Sequence, residues 1–139
     1  METGKVTKWT ASGVLIGVVS SGISSSPSGM FIDTNMNIFT TGYYDNSVYK
    51  STALNPTAVK LIDNPGINSI HFPEGIVSDA TGNLYISNRN GSIVKWNSTN
   101  QQIVTIIGTN GVRDLAINSK GNLIVPKGGT SRQDYSFSV

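Results

Sequence analysis

The chain has 139 residues, of which 37% are hydrophobic and 13% are charged, and its net charge is +2. So small a charge gives no reason to expect nucleic acid or a membrane surface as a partner. The sequence has no cysteine, which excludes disulfide bonds and thiolate metal sites, and shows no signal peptide or transmembrane run, which leaves the compartment undetermined.

Residues 1–22 carry the first two predicted strands. Residues 5–9 (KVTKW) and 13–19 (GVLIGVV) combine β-branched and apolar residues, which favours strands. Seven residues are far too few for a membrane span, so the second segment is interpreted as a buried strand. The place of these strands in the fold follows from the repeats further along the chain.

A motif that begins at residue 27 occurs three times. The copies are PSGMFIDTNMNIFTT (27–41), PEGIVSDATGNLYIS (73–87) and VRDLAINSKGNLIV (112–125). Asp79 follows Asp33 by 46 residues, and Asn118 follows Asp79 by 39 residues. A period near 40 that contains only short strands is typical of the blades of a β-propeller.

Each of the first two repeats predicts one complete blade of four antiparallel strands. In residues 23–66 the predicted strands are 29–32, 37–41, 47–51 and 58–62. In residues 67–109 they are 75–78, 84–87, 92–96 and 102–107. Short polar turns separate these strands, and Asn90-Gly91 is a strong hairpin signal.

Asp33, Asp79 and Asn118 occupy the same turn in successive repeats. Aspartate and asparagine at this position accept hydrogen bonds from backbone amides two residues further on, so we expect all three to cap turns. Their spacing puts them on separate blades, too far apart for paired acid–base chemistry.

One of these turns departs from the pattern at Met36, which stands where the other repeats have Gly82 and Gly121. A left-handed methionine costs roughly 1–2 kcal/mol. We therefore expect the first turn to differ, with the positive φ shifted to Asn35.

The two ends of the chain predict complementary halves of a blade. Residues 5–9 match residues 92–96, so the chain begins with strands three and four of a blade. Residues 110–126 carry first and second strands, at 113–117 and 122–125, and residues 127–139 form a tail. The whole is an all-β chain of about three blade equivalents.

The repeats resemble the NHL-repeat family of β-propellers, over nearly all of residues 5–126. In the second repeat the matching positions are Pro73, Gly75, Ile76, Asp79, Gly82, Asn83, Tyr85, Ile93 and Trp96. In the first they are Pro27, Gly29, Asp33, Asn37 and Phe39. The resemblance implies a propeller but leaves its function open, because the family includes RNA-binding, protein-binding, lyase and scaffolding members. The sequence shows no catalytic constellation, so the leading hypothesis is a binding or scaffold module that is not an enzyme and whose ligand is open.

The chain also departs from the family pattern. Asn88 stands where the family usually has aspartate, and Ser47 and Ser92 stand where it usually has arginine. An Asp–Arg pair that often braces neighbouring blades in the family is therefore missing.

Three blades do not close a ring, because propellers have about 4–8 blades. Either the missing blades lie elsewhere, or two chains join head to tail into a six-bladed homodimer. The complementary ends favour the homodimer.

Loops that enter first strands and loops between strands two and three share one face of a propeller, where ligands usually bind. The candidate ligand-binding residues in these loops are Tyr43, Tyr44, Glu74, Arg89 and Arg113. Tyrosine and arginine are favoured in recognition surfaces, so a protein partner is expected there. Trp9, Tyr49 and Trp96 lie on third strands and are expected to pack between blades.

Two other functions remain open. Related lactonases with this fold hold calcium through a glutamate at the position of Glu74, with Asp114 as a second candidate ligand here, and related lyases hold zinc through several histidines, whereas this chain has only His71. Single-stranded RNA binding is the third function, although basic and aromatic residues do not cluster in the sequence. We identify no catalytic residue and expect no metal or cofactor.

Overall fold

A computed structural model describes residues 3–66, 69–108 and 114–126, all of them in strands, turns or irregular segments. No helix long and apolar enough to cross a membrane occurs in these ranges. The strands are β1 (Gly4–Trp9), β2 (Leu15–Ile23), β3 (Pro27–Ile32), β4 (Ile38–Gly42), β5 (Ser47–Ser51), β6 (Val59–Ile62), β7 (Pro73–Ser78), β8 (Leu84–Asn88), β9 (Ile93–Trp96), β10 (Ile103–Ile107), β11 (Ala116–Ile117) and β12 (Leu123–Ile124).

The strands form four antiparallel sheets in chain order. Strands β3–β6 form a four-stranded sheet, which we call blade 1, and β7–β10 form blade 2. Strands β1–β2 and β11–β12 form two-stranded sheets, which we call the N-terminal and the C-terminal half-blade. The predicted all-β fold with four-stranded antiparallel blades is confirmed. The predicted tail at 127–139 lies outside the described residues.

The sheets stack face to face, and an apolar cluster lies between each neighbouring pair. Alternation along a strand sends successive side chains to opposite faces. In β9, for example, Val94 and Trp96 join the cluster between the two full blades, whereas Ile93 joins the cluster between blade 2 and the C-terminal half-blade. The core of this chain is therefore divided among the spaces between blades.

Glycine allows the first strands of successive blades to approach closely. A Cβ added at Gly29 in β3 would lie 2.4 Å from the carbonyl oxygen of Glu74 and 3.0 Å from the Cα of Gly75 in β7. A Cβ at Gly75 would lie 2.9 Å from the Cδ2 of Leu115. The first strands therefore converge at two equivalent positions, where a Cβ would meet backbone atoms at Gly29 and side-chain atoms at Gly75.

The repeated turn is capped as expected. The Oδ1 of Asp79 accepts hydrogen bonds from the amides of Thr81 (3.1 Å) and Asn83 (3.0 Å). Asp33 and Asn118 accept the equivalent pairs of amides in their own turns. The capping role of all three side chains is confirmed.

The expectation that the first turn moves its positive φ to Asn35 is wrong. Met36 itself takes φ 65°, close to Gly121 at 82°, and Asn35 is not left-handed. The cause is the backbone bond from the Met36 amide to the Asp33 carbonyl (3.0 Å), which repeats the bond from Gly82 to Asp79 (3.1 Å). The turn thus keeps its geometry and methionine accepts the strain.

Strand β2 continues to Ile23, beyond the predicted end at residue 19. Polar contacts with blade 1 carry this extension. The Ser51 hydroxyl donates to the Ser20 hydroxyl (2.9 Å), and the Ala58 amide donates to the carbonyl of Ser21 (2.8 Å).

The third-strand aromatic residues behave differently from one another. Tyr49 and Trp96 are buried between sheets, which confirms their prediction. Trp9 is exposed, so its prediction is wrong. Within the described residues no sheet precedes the N-terminal half-blade and covers that face.

Candidate functional site

Loops of the two full blades bring aromatic rings together. Tyr43 and Tyr44 lie in the turn between β4 and β5, and Phe72 lies just before β7. The ring centroid of Tyr43 is 5.0 Å from that of Tyr44, at 88°, and 5.0 Å from that of Phe72, at 31°. Edge-to-face and offset rings at such distances attract one another. We call Tyr43, Tyr44 and Phe72 the aromatic cluster; Tyr44 is its most exposed member.

Arg89, in the turn after β8, is hydrogen-bonded to this cluster. Its Nη1 donates to the Tyr43 hydroxyl, and its backbone amide donates to the carbonyl of Phe72 (3.0 Å). The hydrogen bond to Tyr43 and the more distant negative charge of Glu74 raise the pKa of Arg89. The guanidinium is thus an exposed, permanent cation beside aromatic rings.

The backbone beneath the cluster is strained at Phe72, whose φ is 49°. A bulky residue in the left-handed region is rare and costs on the order of 1–3 kcal/mol. Bonds from two loops hold it there: its amide donates to the Oδ1 of Asn46 (2.8 Å), and its carbonyl accepts from Arg89. Such strain is often found at functional sites.

Asn88 anchors the segment that carries Phe72. This buried side chain donates from Nδ2 to the Ser69 carbonyl (2.9 Å) and the Ser92 hydroxyl (3.1 Å), and accepts from the His71 amide (3.1 Å). The departures from the NHL pattern at residues 88 and 92 therefore form a neutral hydrogen-bonded pair. Asn88 thereby attaches the segment that precedes β7 to the hairpin between β8 and β9.

Glu74 is half-buried and lines a cleft of about 400 Å³ along the first strands, together with Gly29, Gly75 and Asp114. The Oε1 of Glu74 is buried without a hydrogen-bond partner among the described residues, as is the Nδ1 of His71. Two buried polar atoms without a partner thus lie on the segment that also carries Phe72. A donor group of a ligand would satisfy the Glu74 oxygen, and a donor or an acceptor would satisfy the His71 nitrogen, depending on its tautomer.

A second polar cluster joins the N-terminal half-blade to blade 1. Asp45 accepts hydrogen bonds from the hydroxyls of Tyr49 and Ser24 and lies 3.5 Å from the Nζ of Lys60. Burial and the Asp45 carboxylate raise the pKa of Tyr49. This cluster fixes the turn that carries Tyr43 and Tyr44.

The structure thus brings three of the predicted site residues, Tyr43, Tyr44 and Arg89, into one cluster, while Glu74 lies on the adjoining cleft. Arg113 lies outside the described residues. The ligand-binding role of all five stays a prediction. Sequence reasoning missed Phe72 as a site residue, because its conformation depends on Asn46, which is 26 residues away.

No group of three or more histidine, cysteine, aspartate or glutamate side chains that could hold a metal ion occurs in the described part of the chain. Glu74 and Asp114 share one cleft, as the calcium alternative requires, but they are the only acidic residues among the described ones that line it.

Comparison with solved structures decides the fold. A catalytically inactive virginiamycin B lyase from Staphylococcus aureus with quinupristin superimposes with a TM-score of 0.64, at 13% identity over 91% of this chain and 50% of that one. A streptogramin B lyase gives 0.59, at 17% identity over 91% of this chain and 49% of that one. The fold is a β-propeller.

A third propeller neighbour is an extracellular domain assigned to a hybrid two-component system of B. thetaiotaomicron, with a TM-score of 0.64, 15% identity, and coverage of 91% of this chain and 20% of that one. The chain therefore spans half or less of these neighbours' lengths. Residues 58–96 match the family described as strictosidine synthase-like, N-terminal. The sequence of the chain matches no curated protein. The matched family is not the NHL family, so that assignment stays a prediction.

Proposed function

We propose that this propeller segment is a binding module that holds a polypeptide ligand on its loop face and catalyses no reaction. The observation that carries the proposal is the aromatic cluster with Arg89 beside it, assembled from loops of two blades. Rigid rings give contact area at little cost in conformational entropy, and tyrosine and arginine are enriched among the residues that dominate protein interfaces.

The polar groups around the cluster suit a peptide backbone. Arg89 donates one side-chain hydrogen bond to Tyr43, and its other N–H groups can donate to a carbonyl or carboxylate of a ligand. The buried Oε1 of Glu74 has no donor among the described residues, so it is an acceptor that a peptide N–H would satisfy. The NHL-like pattern supports the same proposal, because that family includes protein-binding scaffolds.

A peptide library displayed on phage tests the proposal. Peptides selected on the full chain are expected to lose about tenfold in affinity for Tyr44→Ala and for Arg89→Ala, since removal of a central interface side chain costs more than about 1 kcal/mol. Both side chains are exposed, so both variants should fold. Leu54→Ala, at an exposed position in the turn between β5 and β6, is the matched control. The proposal fails if no peptide is enriched, or if the selected peptides bind all three variants equally.

A metal-dependent lactonase-like or lyase-like activity is the second candidate, because Glu74 and Asp114 line the same cleft and the buried Oε1 of Glu74 has no hydrogen-bond partner among the described residues. Elemental analysis of the dialysed protein separates the two functions. If the protein contains stoichiometric calcium or zinc and Glu74→Gln loses it, the metal-dependent enzyme is the correct function and the binding module is not. Salt-sensitive retention of a single-stranded RNA pool that is lost in Arg89→Ala would instead indicate RNA binding.

A further inference from the structure

Equivalent residues at the start of the chain and in blade 2 differ sharply in exposure. Trp9 on β1 corresponds to Trp96 on β9, and each pairs with the first residue of the following strand: Leu15 with Trp9, and Ile103 with Trp96. Trp96 is 8% exposed and Ile103 packs against the same cluster, whereas Trp9 is 56% exposed and Leu15 is 53% exposed. The N-terminal half-blade therefore presents an apolar face of the kind that blade 2 buries against a preceding blade.

The first strand of blade 1 is uncovered on the same side. Met30 in β3 corresponds to Ile76 in β7, and Met30 is 45% exposed where Ile76 is 4% exposed. A cleft of about 460 Å³ lies between the N-terminal half-blade and blade 1, and its lining includes Val18, Ile32 and Ile38. The N-terminal half-blade supplies strands three and four of a blade. The cleft lies where strands one and two of that blade would be.

The C-terminal half-blade consists of the two strands that are missing from the cleft. Strands β11 and β12 are first and second strands, and within the described residues β12 has one neighbour only. Leu123 faces back onto blade 2 and is buried. Ile124 corresponds to Tyr85 and points the other way; it is 54% exposed where Tyr85 is 9% exposed.

We propose that two copies of this chain close a six-bladed ring, in which β11–β12 of each copy complete the N-terminal half-blade of the other by pairing β12 with β1. In blade 2 the register between β8 and β9 places Tyr85 opposite Lys95. The same register places Ile124 opposite Lys8 of the second copy and directs Ile124 into the cleft, toward Ile38. The inference is independent of the proposed peptide binding.

A second copy is the occupant that the observations favour. Both half-blades belong to one chain, and the exposed apolar residues at one end match the missing contacts at the other, strand by strand. A head-to-tail contact that uses these two surfaces closes after two copies and gives six blades, within the range of about 4–8 that propellers adopt. Closure also covers the edge of β1 that has no partner among the described residues, and so removes an aggregation-prone strand edge.

Light scattering on the full chain measures the outcome directly. We expect a mass of twice the 14.8 kDa of one chain. Ile124→Lys places a charge in the apolar cleft and beside Lys8, and should reduce the mass to that of one chain with an unchanged circular dichroism spectrum. Val59→Lys is the matched control, since Val59 is 59% exposed on the outermost strand of blade 1, and should leave the mass unchanged. A folded monomer of the wild type, an open series of larger species, or a dimer that Ile124→Lys leaves intact would overturn the proposal.

A disulfide tests the register without destabilising the joint. Directly opposed residues of antiparallel strands have Cα atoms about 4.5–5.5 Å apart, within reach of a disulfide. In this cysteine-free chain, Lys8→Cys combined with Ile124→Cys should give a covalent dimer and no longer products under oxidising conditions. Thr7→Cys combined with Ile124→Cys puts the thiols on opposite faces of the sheet and should give little product. Equal products from both pairs, or a ladder of multimers, would contradict the proposed register.

Discussion

Asp79 organises the turn between β7 and β8. Besides the two amides, its carboxylate accepts from the Thr81 hydroxyl (2.9 Å), the Asn83 side-chain amide (3.0 Å) and the Tyr85 hydroxyl (3.0 Å). Partial burial opposes ionisation, but the hydrogen bonds from Asn83, Thr81 and Tyr85 outweigh it and lower the pKa of Asp79. The turn is therefore strongest when this group is charged.

We expect Asp79→Ala to lower the free energy of unfolding by about 2 kcal/mol, because hydrogen bonds to charged groups contribute about 1.5–3 kcal/mol. Asp79→Asn should cost less, since Asn118 caps its own turn through the same two amide bonds. Urea denaturation of the three proteins measures the difference. Equal stability of Asp79→Ala and the wild type would show that solvent replaces the cap.

The lowered pKa also sets a pH dependence. A carboxyl group with a lower pKa in the folded state contributes stability that is fully present above its ordinary value, 3.8 for Asp79, and is lost as the pH falls through the lowered value. The wild type should therefore lose its advantage over Asp79→Asn in strong acid. A difference between the two that stays constant down to strong acid would contradict this assignment.

Met36 and Gly82 form a natural pair for measuring backbone strain. Met36→Gly should raise the free energy of unfolding by up to about 1 kcal/mol, because it removes a left-handed penalty of about 1–2 kcal/mol and adds flexibility to the unfolded chain. Gly82→Met should lower it by about 1–2 kcal/mol. Thermal denaturation at one fixed protein concentration checks both signs, and changes of the same sign would refute the account.

At the scale of strands, the close approach of β3 and β7 depends on Gly29. Gly29→Ala would place a Cβ 2.4 Å from the Glu74 carbonyl oxygen, and neither backbone can move without disturbing a blade. We expect a loss of about 2 kcal/mol or more, in the range of overpacked cores. Gly17→Ala in β2 is the control, since nothing lies within 4 Å of its added Cβ. Chemical denaturation compares the free energies of unfolding of the two variants. Equal losses would show that the cost comes from replacing glycine in a strand and not from the contact with Glu74.

The strands could largely be predicted because their signals are local. The repeats 27–41 and 73–87 carry their own turn residues and alternating apolar residues. The end of β2 could not be predicted, because Ser20 and Ser21 are polar and their partners, Ser51 and Ala58, are distant in sequence. The strained conformation of Phe72 could not be predicted either, because it depends on Asn46, which is also distant in sequence.

At the scale of the whole molecule, exposure depends on neighbours that a repeat alone does not specify. The sequence makes Trp9 and Trp96 equivalent, and only the stacking of sheets separates them. The candidate site could be predicted in part, since a propeller groups its loops on one face, but which side chains touch depends on the stacking of blades 1 and 2.

If two chains share their blades, folding and association are linked. The midpoint of thermal unfolding should rise with protein concentration, because the folded dimer is favoured by mass action. Ile124→Lys should unfold at a lower temperature that no longer varies with concentration. Differential scanning calorimetry over a dilution series makes the measurement. A wild-type midpoint that is independent of concentration would contradict the linkage.

In the proposed dimer, the joint between the half-blades of two copies occurs twice in one particle. In a dimer of two identical variant chains, a substitution at the joint therefore weakens both joints. When Trp9→Ser and Ile124→Lys chains are mixed in equal amounts, each hybrid particle concentrates both defects in one seam and leaves the other seam intact. Two chains that fail separately should then assemble by complementation.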